Sequence, residues 1–180
     1  WMHGPAPFRT KFSMYYDGGD KTNPRVTLHM DRADADICVV QEHDSLPRAE
    51  IWRRGAGCVV WEAARSMVHY IDQKYSRGGL RGRTCVELGA GTGICGVACS
   101  AAGAARVVLT DLPEALPLLR RNAEASQWAA SLRVVPLAWG AAQARELASE
   151  LYLGPGDLVV ACDCVYQPRS YAALAAALAA

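Results

Sequence analysis

Thr84–Gly96, TCVELGAGTGICG, is the stretch from which the rest of the chain is read. Thr84, Val86 and Leu88 have the β-branched and apolar character of a buried strand. Glu87 stands near the end of that strand, and four glycines fall within the eight residues after Leu88, at 89, 91, 93 and 96. Gly89, Ala90 and Gly91 carry too little side chain to hold a ligand away from the backbone, and glycine reaches the positive φ angles that a tight turn needs. From Thr92 to Ala101 the small-residued pattern predicts a helix, so the turn feeds a helix N-terminus whose free N–H groups face it. A ligand with a nucleoside or carboxylate group suits such a place.

Two registers can be laid on these glycines. Gly91-x-Gly93-x-x-Gly96 has the spacing of a nicotinamide-dinucleotide fingerprint, the signature of an NAD(P)-dependent oxidoreductase. The first glycine of that fingerprint follows its strand directly, however, and here Gly89 comes before Gly91. Counted from Gly89, the stretch is Glu-Leu-Gly-x-Gly-x-Gly. A second anchor is Arg106–Asp111, RVVLTD, an apolar strand ending in an acid 20 residues after Gly91. An acid there can accept both ribose hydroxyls of an adenosine, whichever register is the right one.

Working outward, 180 residues with 51% hydrophobic content suit one α/β domain. With 19 basic against 18 acidic residues the net charge of +1 gives no electrostatic case for nucleic acid or membrane. No apolar run reaches the roughly 18–20 residues of a membrane span, and the start lacks a basic-then-apolar leader, so a cytoplasmic protein is expected. The seven cysteines, at 38, 58, 85, 95, 99, 162 and 164, form no CxxC pair and have no adjacent His, and they read as packed thiols with no metal.

Residues 1–21 have no period, and Asp17–Asp20 reads as a turn or loop. Val26–Met30 and Ile37–Val40 flank an Asp-rich connection and predict a β-hairpin. Over Gly55–Tyr75 the residues Trp61, Ala64, Val68 and Ile71 recur at helical spacing and predict an amphipathic helix. After Asp111 a helix is expected from about Pro113, with Pro117 requiring a shift or a kink. A strand at Leu132–Ala138, a helix at Ala141–Tyr152, a strand at Asp157–Tyr166 and a terminal Ala-rich helix complete the pattern. Four strands alternating with helices predict a Rossmann-like, doubly wound parallel sheet.

Four pieces stand in order: GCVVWEAA (57–64), ELGAGTG (87–93), LTDL (109–112) and ACDCVY (161–166), with LAWG (137–140) between the last two. Together they resemble the seven-strand (class I) protein-lysine methyltransferases of non-histone proteins, and within them the branch that acts on valosin-containing protein, a AAA ATPase. The resemblance implies an N-terminal segment with a hairpin over 1–54 and a methyltransferase domain over 55–180, cut short after its fourth strand and helix where the family has three more strands. A fragment of a longer protein and a divergent short form both fit.

S-adenosylmethionine is the implied cofactor, with Glu87, Gly89, Ala90 and Gly91 around its methionine part and Asp111 on its ribose. Trp61 would lie beside it, Leu112 and Trp139 near the adenine, and Ala161 against it from the fourth strand, although a core role for Trp139 is equally open. Asp163 and Tyr166 would form the catalytic end, where Asp163 captures and orients the target lysine and Tyr166 offers a hydroxyl and a ring face. The implied partner is a protein substrate, a AAA ATPase resembling valosin-containing protein, approached by a monomer without nucleic acid or membrane. A non-catalytic binding module of the same fold is the alternative of a different class.

Overall fold

A computed structural model describes residues 24–42 and 56–180. The expected turn at Asp17–Asp20 lies outside the described residues. The opening strand of the quoted stretch, β3 (Thr84–Leu88), is buried at every position because it has a parallel neighbour on each side. It pairs with β4 (Arg106–Asp111) and with β6 (Leu158–Ala161), and β4 pairs in turn with β5 (Leu132–Pro136), giving the parallel order β5-β4-β3-β6. Parallel neighbours need crossover connections, and α2 (Ile94–Ala101), α3 (Leu116–Ala125) and α4 (Ala141–Leu151) supply them. The chain ends on α5 (Tyr171–Leu178).

Strand alternation divides the core. Cys85, Val107 and Leu109 face one side, where they pack with α1 (Glu62–Tyr75), α2, α3 and the hairpin. Val86, Leu88 and Val108 face the other, against Leu147 and Leu151 of α4 and Leu174 of α5. Glu87 has the parity of Cys85 and therefore points beneath α2. Both faces are covered, as the doubly wound expectation requires.

The hairpin pairs β1 (Arg25–Met30) with β2 (Ala35–Val40) in antiparallel register, and polar side chains of α1 and α3 fasten it to the helices. Buried Asp72 of α1 accepts the N–H groups of Arg32 and Ala33 at 3.0–3.1 Å and the Ser76 hydroxyl at 2.8 Å. Asn122 of α3 grips β2: its Oδ1 accepts the Val40 N–H and its Nδ2 donates to the Val40 carbonyl, each at 2.8 Å. The same amide donates to the Thr92 carbonyl at 2.9 Å.

Several element ends differ from the sequence expectation. The helix expected over 55–75 starts only at Glu62, because residues 56–58 make a short 3-10 turn that presses Gly57 onto Gly91. The helix expected from Thr92 starts at Ile94, after Gly93 takes φ 82°. Helix α3 begins at Leu116, which leaves Pro117 in the first turn; its missing N–H costs no intrahelical bond there, and no kink is needed. Strand β5 stops at Pro136, two residues early. Strand β6 stops at Ala161, because Asp163 adopts φ 55°, a left-handed angle foreign to a strand. Among the described residues no helix is long and apolar enough to cross a membrane.

Candidate functional site

At the carboxyl ends of β3, β4 and β6 the chain encloses a cavity of ≈ 500 Å3. This is where open α/β sheets receive ligands. Its floor is the glycine turn. A Cβ on Gly91 would stand 2.8 Å from the Gly57 carbonyl oxygen, so two backbones touch and bring the 57–61 segment, with Trp61, to the cavity wall. A Cβ on Gly89 would stand 3.0 Å from Trp139 Cζ2 and 3.1 Å from Cys164 Sγ. The Trp139 ring thus rests on the turn while also lining the cavity.

Glu87 is only 3% exposed. Its Oε2 accepts the Gly96 N–H at 2.8 Å. Gly96 is the third residue of α2, and the helix has no capping side chain at Gly93, so a carboxyl group from the neighbouring strand satisfies one of the N–H groups that the sequence leaves free. Burial pushes the Glu87 carboxyl up to about 8, against the opposing pull of the Gly96 N–H and the Cys95 thiol. At pH 7 the protonated form then leads by about ten to one. A cationic group bound nearby would reverse that balance.

Asp111 closes the end of β4 with both oxygens engaged. Oδ2 accepts the Gly91 N–H and Oδ1 the Leu112 N–H, each at 2.7 Å. Burial raises its pKa, and these two N–H bonds work against the rise. A carboxylate oxygen has more than one acceptor direction, so a pair of ligand hydroxyls can still be received. Leu112 continues the wall past it.

Beyond β6 the chain turns over the cavity mouth. The Cys164 thiol donates to the Leu88 carbonyl at 3.3 Å and pins the bend to β3, while Asp163, at its left-handed angle, is exposed. Asp tolerates that angle better than most residues, but it remains a strained backbone position, and such positions cluster at functional sites. Tyr166 stands on the same rim, and burial, the largest influence on it, raises its hydroxyl pKa so that it stays a proton donor at neutral pH.

The cavity therefore brings together Trp61, Glu87, Gly89, Ala90, Gly91, Asp111, Leu112, Trp139, Asp163 and Tyr166, but it leaves out Ala161. Strand alternation is the reason. Ala161 packs with Val86 and Leu88 on the far face, and its neighbour Cys162 takes the wall position. Sequence reasoning also missed Cys95 in the wall, and Gly57, whose role is a backbone contact with no pattern of its own. Among the described residues no group of three or more His, Cys, Asp or Glu is placed to hold a metal.

The donor set fits S-adenosylmethionine. One carboxyl group is buried where a cation would ionise it, a second is held open to hydroxyls, and an aromatic ring and Leu137 offer apolar walls.

Comparison with known proteins finds lysine methyltransferases. Mouse EEF1A lysine methyltransferase 3 is 36% identical over 115 residues, covering 63% of this chain and 46% of that protein. Mouse protein N-lysine methyltransferase METTL21A is 36% identical over 121 residues, 64% of this chain and 51% of its own length. Protein-lysine N-methyltransferase EFM6 of Saccharomyces cerevisiae is 26% identical over 180 residues, 88% of this chain and 72% of its own. The chain spans about half the length of the two mouse relatives. A family model described as lysine methyltransferase matches residues 40–180, and the chain belongs to that family.

Proposed function

We propose that this chain binds S-adenosylmethionine in the cavity at the ends of β3, β4 and β6, and that the protein transfers the cofactor's methyl group to a lysine side chain of a non-histone protein. The observation that carries the reading is the convergence of Glu87, Asp111 and Asp163, from three strand ends, on one cavity. When bound, the cofactor supplies an electrophilic methyl on a positively charged sulfonium. The protein's task is to present a neutral amine in line with it. A free lysine has a pKa near 10.4, so neutralising it at pH 7 costs roughly 4–5 kcal/mol. Leaving water for the cavity lowers that cost.

Asp163 attracts and orients the incoming ammonium at the mouth and, being exposed, hands its proton to water. Tyr166 adds a hydroxyl donor and a ring face. Positioning dominates in this scheme, and no strong base is required. Asp111 holds the ribose, Glu87 receives the cofactor's ammonium group, and Trp61, Leu112 and Trp139 flank the rest.

For the protein substrate, the motif resemblance favours a AAA ATPase of the valosin-containing type. The name of one relative favours EEF1A as a second candidate. The same reading places the protein in the cytoplasm as a monomer, with residues 1–54 as an N-terminal segment ahead of the cofactor-binding domain.

Calorimetric titration with S-adenosylhomocysteine tests the cofactor. Micromolar binding is expected, weakened tenfold or more in Asp111→Ala, which is about 1.4 kcal/mol. A folded chain that does not bind refutes the reading. Methyl-transfer assays on the two candidate substrates then decide between them.

A further inference from the structure

The net charge of +1 averages over a local excess of cations. Between Asp72 and Glu87 the chain carries Lys74, Arg77, Arg81 and Arg83 and no acidic residue. All four are exposed. They occupy the end of α1 and the 76–83 connection that leads into β3, so they lie at the amino end of the sheet. The five residues of β3, about 17 Å of strand, separate them from the cavity. Arg32 of the hairpin turn joins them, its Nη1 donating to the Gln73 carbonyl at 2.8 Å.

The connection is a fixed platform. Leu80 at its centre is 0% exposed and anchors it in the core. The N–H groups of Gly79, Arg81 and Arg83 donate to the carbonyls of Tyr75, Gly78 and Leu80 at 2.8, 3.1 and 3.0 Å, and Arg81 bridges to Ala104. A Cβ on Gly79 would stand 3.2 Å from Tyr75 Cδ1, so the connection lies directly on that ring. The Tyr75 ring meets Tyr70 edge to face, centroids 6.2 Å apart, and the Lys74 ammonium stands over both at 5.6 and 5.3 Å. Tyr70 is 48% exposed.

Among the described residues none of the five cations forms an ion pair. The neighbouring carboxylates serve other donors. Asp72 receives the backbone N–H groups of Arg32 and Ala33 and the Ser76 hydroxyl, and Asp157 receives the N–H groups of Thr84 and Gly154 at 2.7 and 2.9 Å. Arginine outnumbers lysine on the platform, and its planar fork matches phosphate oxygens. An exposed tyrosine ring among cations suits an unstacked base. An acidic peptide would engage the guanidinium groups and leave that ring without a partner.

We propose that the 74–83 platform, with Tyr70 and Arg32, is a docking site for single-stranded nucleic acid, its phosphates on the guanidinium groups and a base on the Tyr70 ring. A duplex is the poorer occupant, because its bases are stacked out of the ring's reach. The site lies at the opposite end of the sheet from the cavity and stands independently of the methyltransferase reading.

Fluorescence anisotropy of the chain with a labelled oligouridylate of about 12 nucleotides tests it. Micromolar binding is expected, and with five cations on phosphates the affinity should fall about a hundredfold between 50 and 200 mM salt. The single variants Arg77→Gln, Arg81→Gln and Arg83→Gln should each flatten the log–log salt slope by about 0.7, and the triple variant should bind at least tenfold more weakly. Tyr70→Leu, which keeps the bulk and loses the ring, should weaken binding about fivefold at an unchanged salt slope. Arg133→Gln is the control, since that guanidinium is held by Glu150 at 2.8 Å, away from the platform, and should change nothing. Thermal melts of the variants separate lost binding from lost fold. RNA and DNA strands of matched sequence distinguish the source; tighter RNA binding assigns the occupant to RNA, equal binding to either strand, and both bear the proposal out. No binding by the folded chain, full binding by the triple variant, an unaffected Tyr70→Leu, or equal affinity for polyglutamate or a duplex overturns it.

Discussion

Replacing Glu87 with Gln removes one buried titration and leaves the rest of the hydrogen-bond framework in place. In the folded chain this carboxyl has a pKa of about 8, against 4.5 when unburied. The folded state therefore holds the proton more tightly. The stabilisation this gives is complete below pH 4.5 and drains away as the pH rises to about 8, at a slope of about 1.4 kcal/mol per unit. Across the whole window the loss is roughly 4–5 kcal/mol. A Gln amide oxygen can still accept the Gly96 N–H and has no proton to lose. Urea denaturation of both chains from pH 5 to pH 9 should give similar stabilities at the acid end, with the Gln chain pulling ahead by several kcal/mol at the basic end. A difference curve that stays flat over this range, or a carbon NMR titration placing Glu87 near the ordinary carboxyl value, refutes the reasoning.

Asp163→Asn keeps a residue tolerant of the left-handed angle but removes the charge; S-adenosylhomocysteine affinity should hold within about twofold while methyl transfer falls about a hundredfold. Asp163→Gly should lose activity as severely yet raise the melting temperature, because relief of the φ 55° position gains about 0.5–1 kcal/mol. Gly96→Ala forces a methyl into Leu109 Cδ2 and to 2.9 Å from Glu87 Oε2, and should cost roughly 3 kcal/mol in a denaturant melt. Asp72→Ala strands the Arg32 and Ala33 N–H groups and should cost about 3 kcal/mol, with hydrogen exchange at these two amides accelerating before that of the sheet.

Much of this architecture was readable because its signals are local. An apolar run ending in an acid and followed by glycines identifies β3 and its turn, and Arg106–Asp111 repeats the theme for β4. The assignment of Ala161 to the wall failed by a single residue, since the register that pairs it with Leu88 comes from the sheet and not from β6 alone. The start of α1 was misjudged because Gly57 is held out of the helix by Gly91, 34 residues away in sequence. Pro117 implies a kink only in a helix that begins near Pro113; in one that begins at Leu116 it falls in the first turn. Nothing in the hairpin's own apolar pattern announces that Asp72 and Asn122 will hold it.

Asn122 carries a consequence for solubility. The outer edge of a β-strand is a template on which another chain can add itself. By offering Val40 both a donor and an acceptor, the Asn122 side chain occupies the rung that an intruding strand would use. The same amide secures Thr92 at the mouth of the glycine turn, so exposing this edge to an aggregating neighbour also unfastens the cofactor's floor. Resistance to edge-to-edge association and readiness to bind are thus vested in a single side chain.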